Sequence, residues 1–287
     1  MPEIKKIEIN SKNYPELLKK IKNPPQFLYT KGGFPKGNCF AIVGTRRCSP
    51  YGKVIALEIA GELASAGLVI VSGMARGIDT YVHRGCLEKG GKTIAVLGTG
   101  LDEESIYPKE NLRLSQEILE KEGCLISEYP PGTPGFVQNF PQRNRIISGI
   151  SLGVLIVEAK IKSGALITAN WAKSQNRKLF AIPGPLYSQN SKGPNFLIKT
   201  GARLVESAED ILKEFDLSFP KPISEKTLIQ TPQENLILGA LQEEPLHIEK
   251  LIEKTGQSPQ KILSILAILE IKGKIKNLGG NIYTILH

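Results

Sequence analysis

Residues 40–73 read FAIVGTRRCSPYGKVIALEIAGELASAGLVIVSG, and this stretch decides the fold. Phe40-Ala-Ile-Val43 is a short, wholly apolar run, broken by Gly44-Thr45-Arg46. Tyr51 to Ala66 places apolar residues at helical spacing, and Leu68-Val-Ile-Val71 is a second apolar run ending in Ser72-Gly73. A strand that is apolar on both faces must be covered on both faces, which is the condition of a parallel strand flanked by helices. The same alternation continues downstream, with strands expected at 93–97, 124–127, 152–157 and 178–182. Helices are expected from about 78 through Cys86 and at about 109–122, 141–150 and 164–176. The expected fold is therefore α/β, a doubly wound, Rossmann-like parallel sheet occupying residues 1–216 with its core at about 36–214.

Periodicity disappears after Phe215, and Pro220, Pro222 and Pro232 cluster, which marks 217–230 as a linker. Beyond it, 234–242, 248–255 and 258–272 read as three short helices. Residues 274–278 and 281–285 form a hairpin around Gly279-Gly280. Three helices and a terminal hairpin describe a winged helix over 231–287.

The whole chain has 287 residues, 41% of them hydrophobic, which is ample for a packed core. No apolar run approaches the 18 residues of a membrane span, and MPEIKKIEIN is not a signal peptide, so a cytoplasmic protein with no membrane contact is expected. Cys39, Cys48, Cys86 and Cys124 show no C-x-x-C spacing and only three histidines could join them. Neither a zinc site nor a disulfide framework is expected, and the cysteines read as small buried hydrophobes. The net charge is +9, and residues 231–287 hold as many basic as acidic side chains, so the whole excess lies in 1–230. Such an excess suits a polyanionic partner of the first domain, and it also serves solubility.

In open parallel sheets ligands bind beyond the carboxyl ends of the strands. The turns there are Gly44 to Ser49, Ser72-Gly73-Met74-Ala75-Arg76-Gly77-Ile78-Asp79, Gly98 to Asp102 with Tyr107-Pro108-Lys109, Phe140 to Arg145, and Lys160 to Ala165. Each supplies glycine amides, a cation, or both, at the start of a helix, where free N–H groups and a partial positive charge favour anions. Arg46, Lys109, Arg143 and Arg145 add charge-assisted bonding. Phosphate binding is the expected chemistry, through Gly44, Arg46, Ser72, Gly73, Gly77, Lys109, Arg143, Asn144, Arg145, Ser163 and Gly164. Arg47, Arg76 and Arg84 face either the site or solvent. Phe140 reads as a buried aromatic at a strand-to-helix corner, with base stacking as the alternative.

Enzyme signatures fail on their spacing. Gly91-Lys92-Thr93 resembles the end of a P-loop, but Cys86 stands where the first glycine belongs and a strand follows rather than precedes it. Gly98-x-Gly100 has Glu103 in place of the third glycine of a dinucleotide fingerprint. Glu158-x-Lys160 is nuclease-like, but residues 129–157 contain no carboxylate to complete a metal site. No catalytic residue, metal or cofactor is expected.

The motifs Val43-Gly-Thr-Arg46, Ser72 to Asp79, Gly98-Thr-Gly-Leu-Asp102, Tyr107-Pro-Lys-Glu-Asn111, Ser127-Glu-Tyr-Pro130, Phe140-Pro-Gln-Arg-Asn-Arg-Ile-Ile-Ser-Gly149, Val157-Glu-Ala159, Lys162 to Ala169 and Ala181-Ile-Pro-Gly184 occur in this order. Together they resemble the DNA-processing protein A (DprA/Smf) family over residues 14–210, and the tail resembles that family's winged helix. The helix-hairpin-helix or SAM-like domain that many members carry in front is not expected here. The resemblance implies a non-enzymatic protein that binds and protects single-stranded DNA during natural transformation and helps load the RecA recombinase. It makes Arg46 and Lys109 DNA-contacting cations, and it lines the same pocket with the glycine turns, Arg143 and Arg145. It also implies a homodimer through the end of the Rossmann domain, here Asn195, Leu197, Ile198 and Leu204; read without it, that segment is an amphipathic helix in the core. An alternative is a nucleotide phosphoribohydrolase of the Rossmann-like lysine-decarboxylase type, although Lys162 to Thr168 lacks that motif's catalytic Glu. A duplex-DNA regulator reading through the tail is a further alternative, opposed by the tail's lack of a basic face.

Overall fold

The apolar runs form the middle of a nine-stranded sheet, as their two buried faces require. The computed structural model describes residues 2–218, 231–242, 244–271 and 274–285. Two units, Met1–Lys221 and Pro222–His287, make up the chain. In chain order the first contains β1 (Ile4–Glu8), the one-turn helix α1 (Glu16–Lys19), β2 (Phe27–Lys31), β3 (Cys39–Val43), α2 (Pro50–Ser65), β4 (Val69–Ser72), α3 (Ile78–Glu88) and β5 (Thr93–Leu97). A 3-10 turn (Lys109–Asn111), α4 (Leu112–Glu120), β6 (Cys124–Ser127), α5 (Asn139–Gly149) and β7 (Gly153–Ile156) follow. The unit ends with α6 (Gly164–Ser174), β8 (Lys178–Ala181), α7 (Lys192–Lys199), β9 (Arg203–Leu204) and α8 (Ala208–Glu214).

The strand order is β1-β2-β6-β5-β4-β3-β7-β8-β9. Strands β3 to β9 are parallel, whereas β1 pairs antiparallel with β2 and β2 with β6. The chain winds outward from β3 through β6 and then returns to lay β7 against the other side of β3, so the switch point lies between β3 and β7. Successive residues of β3 serve opposite cores. Ala41 and Val43 pack with Val71, Val154 and Ile156 against α5 and α6, while Phe40 and Ile42 pack with Ile70 and Leu155 against α2, α3 and α8. Each Val, Leu, Ile or Phe among them contributes about 1.5–3 kcal/mol on burial, so the continuous apolar runs are what hold the sheet between its helices.

Helix α2 shows how the local signals work. Ala56, Ile59, Ala60, Leu63 and Ala64 are buried at helical spacing. The Ser49 hydroxyl caps the start by accepting from the Gly52 amide at 3.1 Å, and Pro50 occupies the first position. Cys39, Cys86 and Cys124 are buried, and burial pushes their thiols up to about 12, so they are protonated packing groups at neutral pH.

The doubly wound fold stands, with antiparallel additions at its edge. Helix α5 begins at Asn139, two residues earlier than its pattern indicates, because Pro141 is tolerated in a first turn. The 109–122 segment divides into a 3-10 turn and α4.

The second unit contains α9 (Pro232–Leu241), β10 (Leu246–His247), α10 (Ile248–Thr255), α11 (Pro259–Ile271), β11 (Ile275–Asn277) and β12 (Ile282–Ile285), with sheet order β10-β12-β11. Ile237, Leu241, Leu251, Ile262, Leu266, Leu269 and Tyr283 form its own core. It is a winged helix, with β10 as a third strand too short to be read from pattern. Most of the expected linker, from 219 to 230, and Lys272 at the end of the third expected helix lie outside the described residues.

Candidate functional site

Four arginines and two aromatic rings converge beyond the carboxyl ends of β3, β4 and β5. Arg46, Arg47, Arg76 and Arg143 line a cavity of about 250 Å³ together with Tyr107 and Phe140. The backbone of Gly73 completes one side. A wider groove of about 1340 Å³ runs along β1, but it mixes Lys5, Lys6 and Lys36 with Glu3 and Glu8 and contains none of the expected site residues.

Arg143 is only 4% exposed, yet it reaches the cavity from α5. Its Nη1 donates to the Gly73 carbonyl at 2.5 Å and to the Val96 carbonyl, and its Nε donates to Asn144 Oδ1 at 3.2 Å. Burial lowers its pKa to about 10 and the nearby Asp79 opposes that, so the cation persists at neutral pH. Asp79 accepts from the Ala75 amide at 3.3 Å; burial raises its pKa and Arg143 works against the rise. The Arg143 guanidinium, through the Gly73 and Val96 carbonyls, ties β4 and β5 to α5 beside the cavity.

The loop from Ser72 to Asp79 is held in an uncommon shape. Met74 has φ +60 and Gly77 has φ +77. A Cβ on Gly77 would collide with the Thr45 carbonyl and the Arg46 backbone, so glycine lets the β3 and β4 turns touch. From the 3-10 turn, Asn111 Nδ2 donates to the Met74 carbonyl at 2.8 Å and to Thr80 Oγ1 at 2.9 Å. The Ser72 hydroxyl is turned inward to the Ile42 carbonyl at 2.7 Å, and Gly44 packs against Ile78 of α3. Both shape the rim from within.

Arg46 and Arg47 are exposed, and the Arg46 guanidinium stands 5.3 Å from the centre of the Phe140 ring. Phe140 is half-buried and packs 5.7 Å from Tyr107, so it lines the cavity instead of lying in the core. Arg76 pairs with Glu110; both are exposed, and such a pair contributes little stability. Arg84 is exposed on α3 and does not line the cavity. Lys109 is exposed beside the cavity residue Pro108, with its Nζ donating to the carbonyls of Glu103 and Glu104 at 3.1 and 2.6 Å.

Arg145 does not join this group. It is buried, donates to Glu128 Oε1 at 2.6 Å and to the carbonyls of Asn23 and Gln142, and so anchors the N-terminal segment. Its direction follows from helix phase, since Arg143 and Arg145 stand two residues apart on α5 and face different sides. Asn144 Nδ2 donates to the Gly164 carbonyl at 3.1 Å, joining α5 to the start of α6. Ser163 is the residue before α6, Gly164 is exposed, and among the described residues the Ser163 hydroxyl has no hydrogen-bond partner. Glu158 sits at the start of α2, where Oε2 accepts from the Ser49 amide and Oε1 from its hydroxyl, at 2.9 and 2.5 Å. Among the described residues no cluster of His, Cys, Asp or Glu could hold a metal ion.

Of the residues expected at a dimer contact, Leu197 is buried in the core and Ile198 packs on it. The Asn195 amide exchanges hydrogen bonds with Gly184 at 3.2 and 2.9 Å. Leu204 is exposed, as is Phe196 on α7, which lies within the 193–198 stretch expected at that contact. Of the cavity residues, sequence reasoning left Arg47, Arg76 and Phe140 open and passed over Ala75, Tyr107 and Pro108, whose positions depend on the sheet bringing three turns together.

Residues 5–216 match the family model for DNA recombination-mediator protein A, and residues 220–281 match the DprA winged helix domain. Protein Smf of Escherichia coli K12 is 38% identical over 284 residues, covering 96% of this chain and 75% of that protein. The chain belongs to the DprA/Smf family. DNA processing protein DprA of Bacillus subtilis is 45% identical over 214 residues, covering 74% of this chain and 71% of that one. The X-ray structure of DNA processing protein A from Streptococcus pneumoniae superposes with a TM-score of 0.69 at 42% identity, covering 76% of each chain. A structure of Helicobacter pylori DNA processing protein A, which addresses the single-stranded DNA binding mode of that protein, gives a TM-score of 0.66 at 32% identity. It covers 76% of this chain and all of that one.

Proposed function

We propose that this family member binds single-stranded DNA at the sheet rim, without catalysing a reaction, and passes the covered strand to the RecA recombinase during transformation in the cytoplasm. The observation that carries the reading is the convergence of Arg46, Arg47, Arg76 and Arg143 with Tyr107 and Phe140 on one 250 Å³ cavity. Cations satisfy phosphates and aromatic faces accept unstacked bases, a combination suited to a single strand. A cavity of this size admits part of a flexible strand. Similarity to the Helicobacter pylori protein supports the same ligand, and the family's description as a recombination mediator supports delivery to a recombinase.

Arg46 and Lys109 are the exposed phosphate contacts, Arg143 is the fixed cation of the floor, and Gly44, Ser72, Gly73 and Gly77 shape the amide-lined rim. Asn144, Ser163 and Gly164 extend that rim to α6, whereas Arg145 acts through the fold. A homodimer would use Phe196 and Leu204, with Asn195, Leu197 and Ile198 supporting the surface from below. Residues 1–216 form the binding domain and 231–287 a module for protein contact.

Binding through about three to five phosphates makes log K fall by about 0.7 per contact for each unit of log salt. Arg46→Glu combined with Lys109→Glu abolishes the gel shift of a single-stranded oligonucleotide while leaving the thermal midpoint in place. Unchanged affinity in the double variant would overturn the assignment.

A further inference from the structure

The loop that packs behind the two aromatic rings of the cavity carries two exposed apolar side chains. Its backbone is firmly tied. Gly132 N donates to Asp102 Oδ1 at 2.7 Å, Gly100 N to the Thr133 carbonyl at 2.9 Å, and Asn139 N to the Phe136 carbonyl at 3.0 Å. Gly135 lies against the cavity's own rings, since a Cβ there would stand 3.3 Å from Phe140 and 3.4 Å from Tyr107. The next two residues are open to solvent, with Phe136 50% and Val137 83% exposed.

We propose that Phe136 and Val137 form a platform on which a nucleobase of the bound strand stacks, beside the cavity that grips the backbone. The inference rests on the reading of that cavity as a single-stranded DNA site. Three features select a base as the occupant. The platform continues the Tyr107–Phe140 wall through Gly135. The arginine beside that wall, Arg46, stands 5.3 Å from the Phe140 ring and offers a phosphate contact next to it. The available area is also small, on the order of 200 Å² for one aromatic residue. A stable protein interface needs about 800 Å² from each partner, whereas one face of a base is matched by a single ring. Because the loop is already ordered, stacking does not carry the entropy cost of fixing it.

The test compares the full chain with Phe136→Ala and Phe136→Trp, using oligothymidylate and the same strand with abasic positions. Phe136→Ala weakens oligothymidylate binding about tenfold with the salt slope unchanged, because stacking is lost and no phosphate contact is. Abasic DNA binds the unsubstituted protein about tenfold more weakly, and Phe136→Ala adds no further loss. Phe136→Trp restores affinity, and its fluorescence is quenched on adding oligothymidylate, read against the single native tryptophan, Trp171. Full affinity in Phe136→Ala, or an unquenched Phe136→Trp protein that still binds, overturns the platform. Loss of RecA delivery with DNA affinity intact also overturns it and assigns the loop to a protein. If the Arg46→Glu and Lys109→Glu double variant binds normally, the cavity reading fails instead, so the two failures are distinguishable.

Discussion

The two units of this chain place opposite kinds of residue at the positions where each frame could meet nucleic acid. In the larger unit the rim beyond β3, β4 and β5 holds Arg46, Arg47, Arg76 and Arg143. In the smaller unit α11, the third helix of the winged helix, exposes Leu263, Ala267 and Ile268 with Lys261 as its cation among the described residues. Both frames occur in nucleic-acid-binding proteins, yet a frame whose basic and acidic side chains balance releases few counterions from a phosphate backbone. The comparison teaches that the side chains on a frame, and not the frame itself, select the ligand.

The sharpest way to break this comparison is charge reversal on each unit. Arg46→Glu with Lys109→Glu lowers single-strand affinity more than a hundredfold in a gel shift, whereas Lys261→Glu leaves it within about twofold; comparable losses would end the division of labour. The next effect concerns two glycines of positive φ. Gly77 (φ +77) has no room for a Cβ, whereas Gly256 (φ +64) ends α10 with nothing within 4 Å. Gly77→Val destabilises the protein by about 2–4 kcal/mol and weakens DNA binding. Gly256→Ala costs about 1 kcal/mol and leaves binding alone, as read by denaturant unfolding and titration.

A third prediction follows from His83, buried in the larger unit. The Thr93 hydroxyl donates to the Ile70 carbonyl at 2.7 Å, so it accepts from His83 Nδ1–H at 2.8 Å, which assigns the neutral tautomer. Burial, with the nearby Arg143 adding to it, pushes the ring's pKa down to about 3 from the ordinary 6.5. Below pH 6.5 the unfolded chain takes up a proton that the folded state refuses, so stability falls as pH falls through the window from about 6.5 to 3. It is fully present above that window. The slope from this residue is about 1.4 kcal/mol per pH unit. Asp79, with its pKa raised on folding, contributes the opposite slope as pH falls through its own folded value. Urea unfolding at pH 7, 6 and 5 shows the decline, and His83→Gln flattens it; an equally steep decline in the variant would exclude His83 as its source. The smallest effect belongs to the tail. Leu263→Ser with Ile268→Ser changes stability by about 1 kcal/mol and leaves single-strand affinity unchanged, because both side chains are already about half exposed.

Legibility followed burial and locality. Strands β3 to β8 could be read because their apolar faces leave no other option, and α10 was read to the residue. Strands β1, β2 and β9 could not: β1 reads Ile-Lys-Lys-Ile-Glu with no alternation, β2 pairs with β6 almost a hundred residues away, and β9 has two exposed residues. At the site, each glycine turn announced itself locally. The opposite fates of Arg143 and Arg145 did not, since they depend on Gly73, Val96 and Glu128, which lie 70, 47 and 17 residues away. Phe140 was placed in the core by its type, and only the meeting of two turns sets it against Tyr107 and Arg46.

By itself the amino-acid order determined a covered parallel sheet whose strand ends carry amides and cations, because hydrophobic periodicity and turn chemistry act over a few residues. Which of those cations share one cavity was decided only by the tertiary structure. That choice depends on strand order, helix phase and the backbone carbonyls that hold Arg143, which are set by contacts between residues far apart in the chain.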